Sequence, residues 1–359
     1  TCSNMDYIFK KQERNGGQCL MGLIRIDKLT VGYKKRKNGD KKIISHLNLD
    51  LKSGELISLV GPNGSGKSTL LKTITGLLPP LEGEIFLSGK NIRSMSSLER
   101  AKLVSLVLTN PVQAGQLTVY DVCSLGRYPH TDWMGSLGQE DHDMVTAALD
   151  AIGIRHFAHR YLHELSDGER QKVMIARALA QNSKLMILDE PTAFLDMPYR
   201  LEIMHILQNL AINEDRGILL STHDLDLALR TSDRLWVVNR DGSFHDGAPE
   251  DLVLKGIISQ VFAIGEISYD AERGRFHIPV HPKGSVRITG ENGKFRFWTE
   301  RAMERIGFVL QGDETVKIHV HIISKENIMT WIIQTPGNVK QFSNLTDGID
   351  WIQNLKIAG

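Results

Sequence analysis

One nine-residue stretch, GPNGSGKST at Gly61–Thr69, constrains this 359-residue chain more than any other part of it. The stretch matches the pattern G-x-x-x-x-G-K-[ST], follows the apolar run LISLV and precedes the helix-like segment LLKTITGLL. Glycines at such a turn let successive backbone N–H groups face phosphate oxygens, and the helix start adds a partial positive charge. We therefore predict an α/β fold in which a phosphate-binding loop joins a buried strand to a helix.

Two residues of this loop carry most of the expected chemistry. Lys67 would neutralise the β- and γ-phosphates of a nucleotide, and the Ser68 hydroxyl would ligate Mg²⁺. An ordinary glycine-rich turn is the alternative, and the presence of both Lys and Ser in register argues against it. The predicted nucleotide-binding residues of the loop are Gly61, Pro62, Asn63, Gly64, Ser65, Gly66, Lys67, Ser68 and Thr69.

A second candidate site segment is KLMILDEP at residues 184–191. Its apolar run is typical of a strand buried on both faces of a parallel sheet, and Asp189 stands at the carboxyl end, where such sheets bind ligands. Asp189 is predicted to hold Mg²⁺ directly or through water, and Glu190 to polarise an attacking water. The alternative is a plain turn with two acids before a proline.

The stretch LHELSDGERQKVMIARALA at residues 162–180 indicates the start of a helix. Ser166 and Glu169 form the S-x-x-E pattern in which the two residues cap each other's backbone N–H groups. The segment is thus either only a well-capped helix or a second anion-binding helix end, in which Ser166 and Gly168 offer donors to a γ-phosphate. It cannot hold a nucleotide by itself, so the rest of the site must lie elsewhere.

Charge, cysteine spacing and hydropathy exclude several classes of protein. Lys+Arg 43 against Asp+Glu 42 leaves a net charge of +1, so we expect no nucleic-acid partner. The three cysteines (Cys2, Cys19, Cys123) have no zinc or disulfide spacing, which favours a reducing compartment. No run approaches the ~18 apolar residues of a membrane span, so any membrane link would go through another protein. Residues 1–22 mix charged and apolar groups and are predicted to be a loose tail.

Hydrophobic periodicity predicts the domain organisation. Alternating patterns near residues 23–31, 47–51 and 83–89 predict half-buried antiparallel strands, whereas the continuous runs at 56–60, 184–189 and 217–222 predict buried parallel strands. After Gly265 the chain returns to alternating strands and two helices, near 298–306 and 346–355. The predicted division is a tail (1–22), a nucleotide-binding domain (23–265) with a helical subdomain at about 110–182, and an accessory α+β domain of unknown role (266–359).

Five motifs in order, GPNGSGKST, LSDGERQ, LMILDEP, AFLD and STHD, resemble the ATP-binding subunit of ABC transporters over about Leu23–Phe262. The resemblance implies a P-loop ABC ATPase fold: a mixed sheet core with an antiparallel β subdomain and a helical subdomain. It also implies that the LSDGE segment of one cassette closes over the phosphate loop of another, so that two ATP are bound in a head-to-tail dimer. Because this chain has one copy of each motif, the expected partner is a second copy of itself.

The resemblance assigns further roles residue by residue. Tyr33 would stack on adenine, Ser166, Gly168 and Glu169 would contact ATP, and Asp196 would contact the opposite subunit. His223 would hold the γ-phosphate and the attacking water. Without the resemblance, Tyr33 would be read as ordinary packing and His223 as the cap of a strand.

Two positions depart from the family's pattern. Asp167 replaces the first of two signature glycines and brings a negative charge near the expected phosphate. The family's metal-contacting glutamine has no counterpart here: counting back from LTV lands on Thr109, next to Asn110. We assign Thr109 to the Mg²⁺ site, because a short polar oxygen would still reach the metal through water.

The segment LTVYDVCSLGRYPHTDWMG at residues 117–135, above all GRYPH, resembles ATPases of iron-siderophore, haem and vitamin B12 importers. That implies an ATP- and Mg²⁺-dependent homodimer that powers import of a metal chelate through a membrane permease. The partners would be the permease and, indirectly, a periplasmic or surface substrate-binding protein, and the location would be the cytoplasmic face of a bacterial inner membrane. The alternatives are a soluble ABC-type ATPase without a transport role and a weakly hydrolysing, nucleotide-dependent regulator.

Histidines in the last hundred residues suggest a metal sensor as a minor alternative. His319 and His321 would share one face of a strand, and His277 and His281 flank the tripeptide IPV. Histidines that alternate along a strand are more often half-exposed packing residues, which is the interpretation we favour.

Overall fold

The computed structural model describes residues 22–34, 39–108, 115–132, 134–263, 265, 267–277, 282–312, 316–325 and 328–354. The chain divides into two compact units, one of Thr1–Ile264 with Tyr269–Arg275 and one of Gly265–Ser268 with Phe276–Gly359. The predicted tail falls almost wholly outside the described residues. Within these described ranges, no helix has both the length and the apolar character needed to span a bilayer.

The first unit contains two sheets and a group of helices. Its strands are β1 (Ile24–Tyr33), β2 (Lys41–Leu51), β3 (Leu56–Val60), β4 (Glu82–Leu87), β5 (Lys90–Asn91), β6 (Val104–Val107), β7 (Leu185–Asp189), β8 (Gly217–Ser221), β9 (Arg234–Val238) and β10 (Phe244–Gly247). Its helices are α1 (Lys67–Ile74), α2 (Ser97–Leu103), α3 (Val119–Ser124), α4 (Gln139–Ile152), α5 (Asp167–Ala180), α6 (Met197–Glu214), α7 (Leu225–Thr231), α8 (Pro249–Leu254) and α9 (Ile257–Phe262). Two short strands, β11 (Ser268–Asp270) and β12 (Arg275–His277), pair with each other.

The two sheets confirm the strand types predicted from periodicity. Among the described residues, one sheet has the order β2-β1-β4-β5 and its strands pair antiparallel. The other has the order β10-β9-β3-β8-β7-β6, in which β10 alone runs antiparallel to its neighbour. Every residue of β3, β7 and β8 is buried. Because these three strands are adjacent and parallel, their carboxyl ends meet at one edge of the sheet.

The helical part of this unit is built on α3, α4 and α5. The apolar face of α4 presents Val145, Leu149 and Ile152 to a core that also holds Val173 and Leu179 of α5. The helix ends where Gly153 adopts a left-handed conformation (φ 76°), as the sequence predicted. The start of α5 is therefore presented by a packed helical layer.

The second unit is a five-stranded sheet with two helices, among its described residues. Its elements are β13 (Gly284–Gly290), α10 (Lys294–Arg305), β14 (Phe308–Leu310), β15 (Ile318–Lys325), β16 (Ile328–Thr335), β17 (Asn338–Phe342) and α11 (Leu345–Asn354). The order is β14-β13-β15-β16-β17, with β13 parallel to β14 and β15 and the remaining pairs antiparallel. Both helices contribute to a separate hydrophobic core. The unit is α+β, as expected.

The two histidines of β15 lie where the alternating pattern predicted them. His319 and His321 occupy alternate positions of β15, and His321 Nδ1 lies 2.9 Å from the Thr289 hydroxyl. His281 lies outside the described residues. Among those that are described, no group of three or more His, Cys, Asp or Glu side chains is placed to hold a metal ion.

Candidate active site

At two positions of the phosphate loop, neighbouring atoms leave no room for a side chain, so only glycine fits. A Cβ atom on Gly61 would lie 2.1 Å from the carbonyl oxygen of Val238, at the end of the neighbouring strand β9. A Cβ atom on Gly66 would lie 2.4 Å from Ile43 Cγ2, and Gly66 itself is left-handed (φ 103°). The backbone can therefore curl tightly between β3 and the first turn of α1.

Lys67 begins α1, and its side chain folds back over the loop. The ammonium group donates to the carbonyl oxygens of Gly61 at 2.8 Å and Pro62 at 3.3 Å. Burial lowers the pKa of Lys67, while Glu190 and Asp189 act in the opposite direction by stabilising the charged form. A buried cation at the start of a helix is suited to a polyanionic ligand.

Asp189 lies at the end of β7 and binds two hydroxyl groups. Ser221 Oγ donates to Asp189 Oδ1 at 2.6 Å, and Ser68 Oγ lies 3.2 Å from the same oxygen. Ser221 ends β8 and is the direct register partner of Asp189. The Asp189 carboxylate and the Ser68 hydroxyl are the hard oxygen ligands that Mg²⁺ prefers.

Ser221 is a site residue to which sequence reasoning gave no role. Its hydroxyl also accepts a hydrogen bond from the Glu190 backbone N–H at 2.9 Å, so one side chain positions both acids. The sequence contained only part of the signal: Ser221 ends a continuous apolar run, but its contact with Asp189 depends on the pairing of β7 with β8.

Glu190 leaves the strand in a strained conformation. Its φ is 50°, in the left-handed region that costs a non-glycine residue of order 1–3 kcal/mol. His223 Nδ1 lies 3.8 Å from Glu190 Oε2, and both side chains are partly exposed. The pair faces solvent at the edge where the phosphate loop begins.

Two further expected residues lie at the ends of their elements. Tyr33 ends β1, is 45% exposed, and lies with its hydroxyl 3.1 Å from Thr69 Oγ1 on α1. Asp196 is exposed at the start of α6. In the first turn of α6, Arg200 forms an ion pair of 3.3 Å with Asp224, the residue after His223.

The start of α5 has the predicted capping box. Ser166 Oγ accepts from the Glu169 N–H at 3.4 Å, and Glu169 Oε2 accepts from the Ser166 N–H at 2.8 Å. The hydrogen bonds that the Ser166 N–H and the Ser166 hydroxyl donate to Glu169 Oε2 lower the pKa of Glu169. A Cβ atom on Gly168 would lie 3.0 Å from the Tyr199 ring, so this turn lies close against α6.

The structure brings the predicted residues together in two groups. Lys67, Ser68, Asp189, Glu190 and His223 surround the carboxyl ends of β3, β7 and β8. Within the described part of the chain, the hydrogen bonds of Ser166, Gly168 and Glu169 do not reach the phosphate loop. Thr109 and Asn110 lie outside the described residues.

Comparison with known proteins identifies the family. The "ABC transporter" family model matches residues 44–193. The chain is 36% identical over 266 residues to an uncharacterized ABC transporter ATP-binding protein of Methanocaldococcus jannaschii, covering 74% of this chain and 90% of that protein. This chain belongs to the ABC transporter ATP-binding proteins. The ABC ATPase is also 36% identical over 244 residues to the iron(3+)-hydroxamate import ATP-binding protein FhuC of Bacillus subtilis, covering 68% and 89% of the two chains.

Solved structures agree with the fold of this ABC ATPase. The dimeric structure of MJ0796, a bacterial ABC transporter cassette, is 28% identical and has a TM-score of 0.55. The match covers 63% of this chain and 98% of the MJ0796 chain. Members of the family hydrolyse ATP to drive transport, so the ABC ATPase is an enzyme.

The second unit also has a family match. The "Iron ABC transporter C-terminal domain" model matches residues 283–353. This family lies outside the resemblance over about Leu23–Phe262 that the sequence analysis gave, so the sequence analysis left the domain without a family. The strand pattern of this region predicted its elements but contained no motif from which a family could be inferred.

Proposed function

We propose that two copies of this ABC ATPase clasp two ATP molecules and that hydrolysis powers import of a metal chelate through a membrane permease. The observation that carries the dimer is the separation of the two groups of site residues. Each chain has one phosphate loop and one capped α5 start whose own hydrogen bonds stay within its first turn. Pairing about a two-fold axis supplies each phosphate loop with the α5 start of the partner.

The phosphate loop fits the triphosphate of ATP. The Ser65 hydroxyl is buried and, within the described part of the chain, has no hydrogen-bond partner. A phosphate oxygen would satisfy it, and the Lys67 ammonium would neutralise the β- and γ-phosphates. Tyr33 stacks on adenine. The full set of ATP-binding residues proposed for the loop is Gly61, Pro62, Asn63, Gly64, Ser65, Gly66, Lys67, Ser68 and Thr69.

The two acids that follow the apolar run of β7 have different proposed roles, one in binding Mg²⁺ and the other in activating water. Ser68 and Asp189 would hold Mg²⁺, with Thr109 as an outer contact, and the metal supplies charge neutralisation at the phosphates. Glu190 orients and polarises the attacking water, and His223 holds the γ-phosphate. Ser166, Gly168 and Glu169 of the second copy complete the site, and Asp196 contacts across the dimer.

Membrane coupling is supported by an exposed apolar turn. Leu125 and Tyr128 are 53% and 72% exposed on the short 3-10 helix Leu125–His130, which follows α3. We assign this turn to docking of a cytoplasmic permease helix.

The names of the relatives favour an iron-siderophore, haem or cobalamin cargo. The relative FhuC is named for iron(3+)-hydroxamate import, and the family model that matches residues 283–353 is named for an iron ABC transporter. A periplasmic or surface binding protein would deliver that cargo, and no nucleic acid takes part.

Three measurements test this function. The tagged chain, purified in detergent from its own membranes, should co-elute with a polytopic permease, and Tyr128→Glu should lose the permease while keeping ATP turnover. Glu190→Gln should lower turnover about 10²- to 10³-fold, in the range for loss of a general base. The same variant should abolish uptake of a ferric siderophore, haem or cobalamin by cells.

Two outcomes would favour the alternatives. Recovery of the chain with ribosomes or DNA, and without any membrane protein, would support an ABC-type ATPase that has no transport role. Unchanged turnover in Glu190→Gln would support a regulator that barely hydrolyses ATP.

A further inference from the structure

The turn Leu125–His130 does more than present an exposed surface. Its two apolar side chains, Leu125 and Tyr128, point to solvent, whereas Gly126, Arg127 and Pro129 are buried. A buried arginine in a short surface turn is costly unless its guanidinium group is fully engaged. Arg127 is 3% exposed, and its contacts show what it holds.

The Arg127 guanidinium joins two helices. Nε donates to Asp141 Oδ1 at 2.8 Å, and Nη1 donates to the backbone carbonyl of Ala180 at 2.8 Å. Asp141 lies in the first turn of α4, and Ala180 is the last residue of α5. The planar guanidinium therefore fixes the end of α5 against the start of α4.

The rest of the turn makes the same connection. A Cβ atom on Gly126 would lie 2.2 Å from the Arg177 carbonyl oxygen, so the turn lies directly on the last turn of α5. His130 Nε2 lies 2.9 Å from the carbonyl oxygen of Gln181, the residue that follows the helix. Two basic side chains thus bind carbonyls that a helix leaves unpaired at its carboxyl end.

The same helix end is also bound to the sheet. Arg177 Nη2 donates to the Leu106 carbonyl at 3.1 Å, and Gln181 Nε2 donates to the Val104 carbonyl at 2.8 Å. Both carbonyls belong to β6. The carboxyl end of α5 is consequently a junction between the exposed turn, α4 and the sheet.

We propose that Arg127 is a positioning residue for ATP hydrolysis. By holding the carboxyl end of α5, it sets where the amino end of this 14-residue helix, with Ser166 and Gly168, meets the ATP of the second copy. A helix of that length spans roughly 21 Å and acts as a stiff lever. The inference rests on the proposed function, because it assumes that Ser166 and Gly168 act across the dimer.

Steady-state kinetics of the full chain test the proposal. Arg127→Gln should lower kcat for ATP about 10-fold or more while KM changes less than about twofold, because the phosphate loop is untouched and only the partner's approach is altered. The kcat of Arg127→Lys should lie between those of the unchanged chain and Arg127→Gln, since one ammonium cannot hold the Asp141 carboxylate and the Ala180 carbonyl with the same planar geometry. Arg155→Gln is the matched control, because Arg155 pairs with Asp150 at 2.9 Å on the exposed end of α4 and should leave kcat unchanged.

A second readout separates positioning from general weakening of the fold. In the hydrolysis-blocked Glu190→Gln background at saturating ATP, Arg127→Gln should require about 10-fold more protein to form the dimer. Unchanged kcat, or a rise in KM that accounts for the whole loss, would overturn the proposal. Should Arg127→Gln be unfolded at the assay temperature, His130→Gln decides, since that side chain is exposed: reduced kcat at constant KM supports the proposal, and unchanged kcat overturns it.

Ser166→Ala distinguishes failure of this inference from failure of the proposed function. If Ser166→Ala leaves kcat unchanged, α5 does not act across the dimer and the proposed function fails. If Ser166→Ala lowers kcat but Arg127→Gln does not, only the role of Arg127 is wrong.

Discussion

At the scale of single residues, the site depends on how strand ends are joined. Ser221 donates to Asp189 and accepts from the backbone of Glu190, so it fixes the proposed metal ligand relative to the proposed base. A hydrogen bond to a charged group contributes about 1.5–3 kcal/mol. Loss of that hydroxyl should therefore displace Asp189 most, because the Glu190 N–H also donates to the Ser221 backbone carbonyl at 3.2 Å.

Ser221→Ala is predicted to lower kcat about 10- to 100-fold and to change the affinity for ATP little. Ser58→Ala is the matched control, because Ser58 is a buried serine of the adjacent strand β3 whose hydroxyl binds Ser232 at 2.6 Å. Steady-state ATPase assays and nucleotide titrations measure both quantities. Equal losses in the two variants would mean that the effect is general to the sheet.

The residues that sequence could predict are those whose chemistry is contained in a contiguous motif. Lys67 and Ser68 follow from a single loop, because the glycines and the strand before them determine the backbone path. Ser221 could not be assigned in the same way, since its contact with Asp189 exists only through the register of β7 and β8. The Thr109 assignment, made by counting along the chain, stays a prediction.

At the scale of elements, the start of α5 shows how one departure from the family pattern is accommodated. The Asp167 side chain is 73% exposed and lies 3.3 Å from Arg170 on the same helix face. This surface pair offsets only part of the negative charge, because solvent screens it. The charge of Asp167 should still repel a phosphate that approaches the helix start.

Asp167→Asn is accordingly predicted to raise kcat/KM for ATP about 2- to 5-fold at low salt, and less at high salt. Asp143→Asn, which removes an exposed acid from α4, serves as the control and should have no effect. The measurement is the salt dependence of steady-state hydrolysis. A lower kcat/KM for Asp167→Asn would mean that this carboxylate assists the site.

Elements were predictable where the hydrophobic period is clear. The alternating and continuous apolar runs gave the right strand types, and the spacing of Val145, Leu149 and Ile152 gave α4 with its glycine cap. The sheet order β3-β8-β7 could not be predicted from the hydrophobic pattern, because periodicity does not show which strands are neighbours. The same holds for Tyr199 of α6 lying against Gly168, a tertiary contact.

At the scale of the whole molecule, each unit has its own core. The core of the second unit draws on both of its helices and on its sheet. In the first unit, Tyr269 packs with Leu225, Leu252 and Ile258, although it follows the boundary that we predicted at residues 265 and 266. The exact position of that boundary stays a prediction, and it can be tested by truncation.

A chain that ends at Arg275 is predicted to hydrolyse ATP within about threefold of the full chain, because its core is complete. A chain that ends at Gly265 lacks Tyr269 and should lose about 3 kcal/mol, which lowers its Tm by roughly 6–12 °C. Thermal unfolding of the two truncated proteins makes the comparison. Equal Tm values would show that Tyr269 contributes nothing to the first unit.

The proposed function requires that ATP is bound between two copies of the chain. Light scattering of the Glu190→Gln variant with Mg²⁺ and ATP measures this association. With ATP the mass should be about twice the 40.2 kDa of one chain, and without ATP it should be that of a single chain. Ser166→Arg in the same background should bind ATP but remain monomeric. An ATP-saturated Glu190→Gln protein that stays at one chain's mass, even together with its permease, would show that ATP does not join two copies.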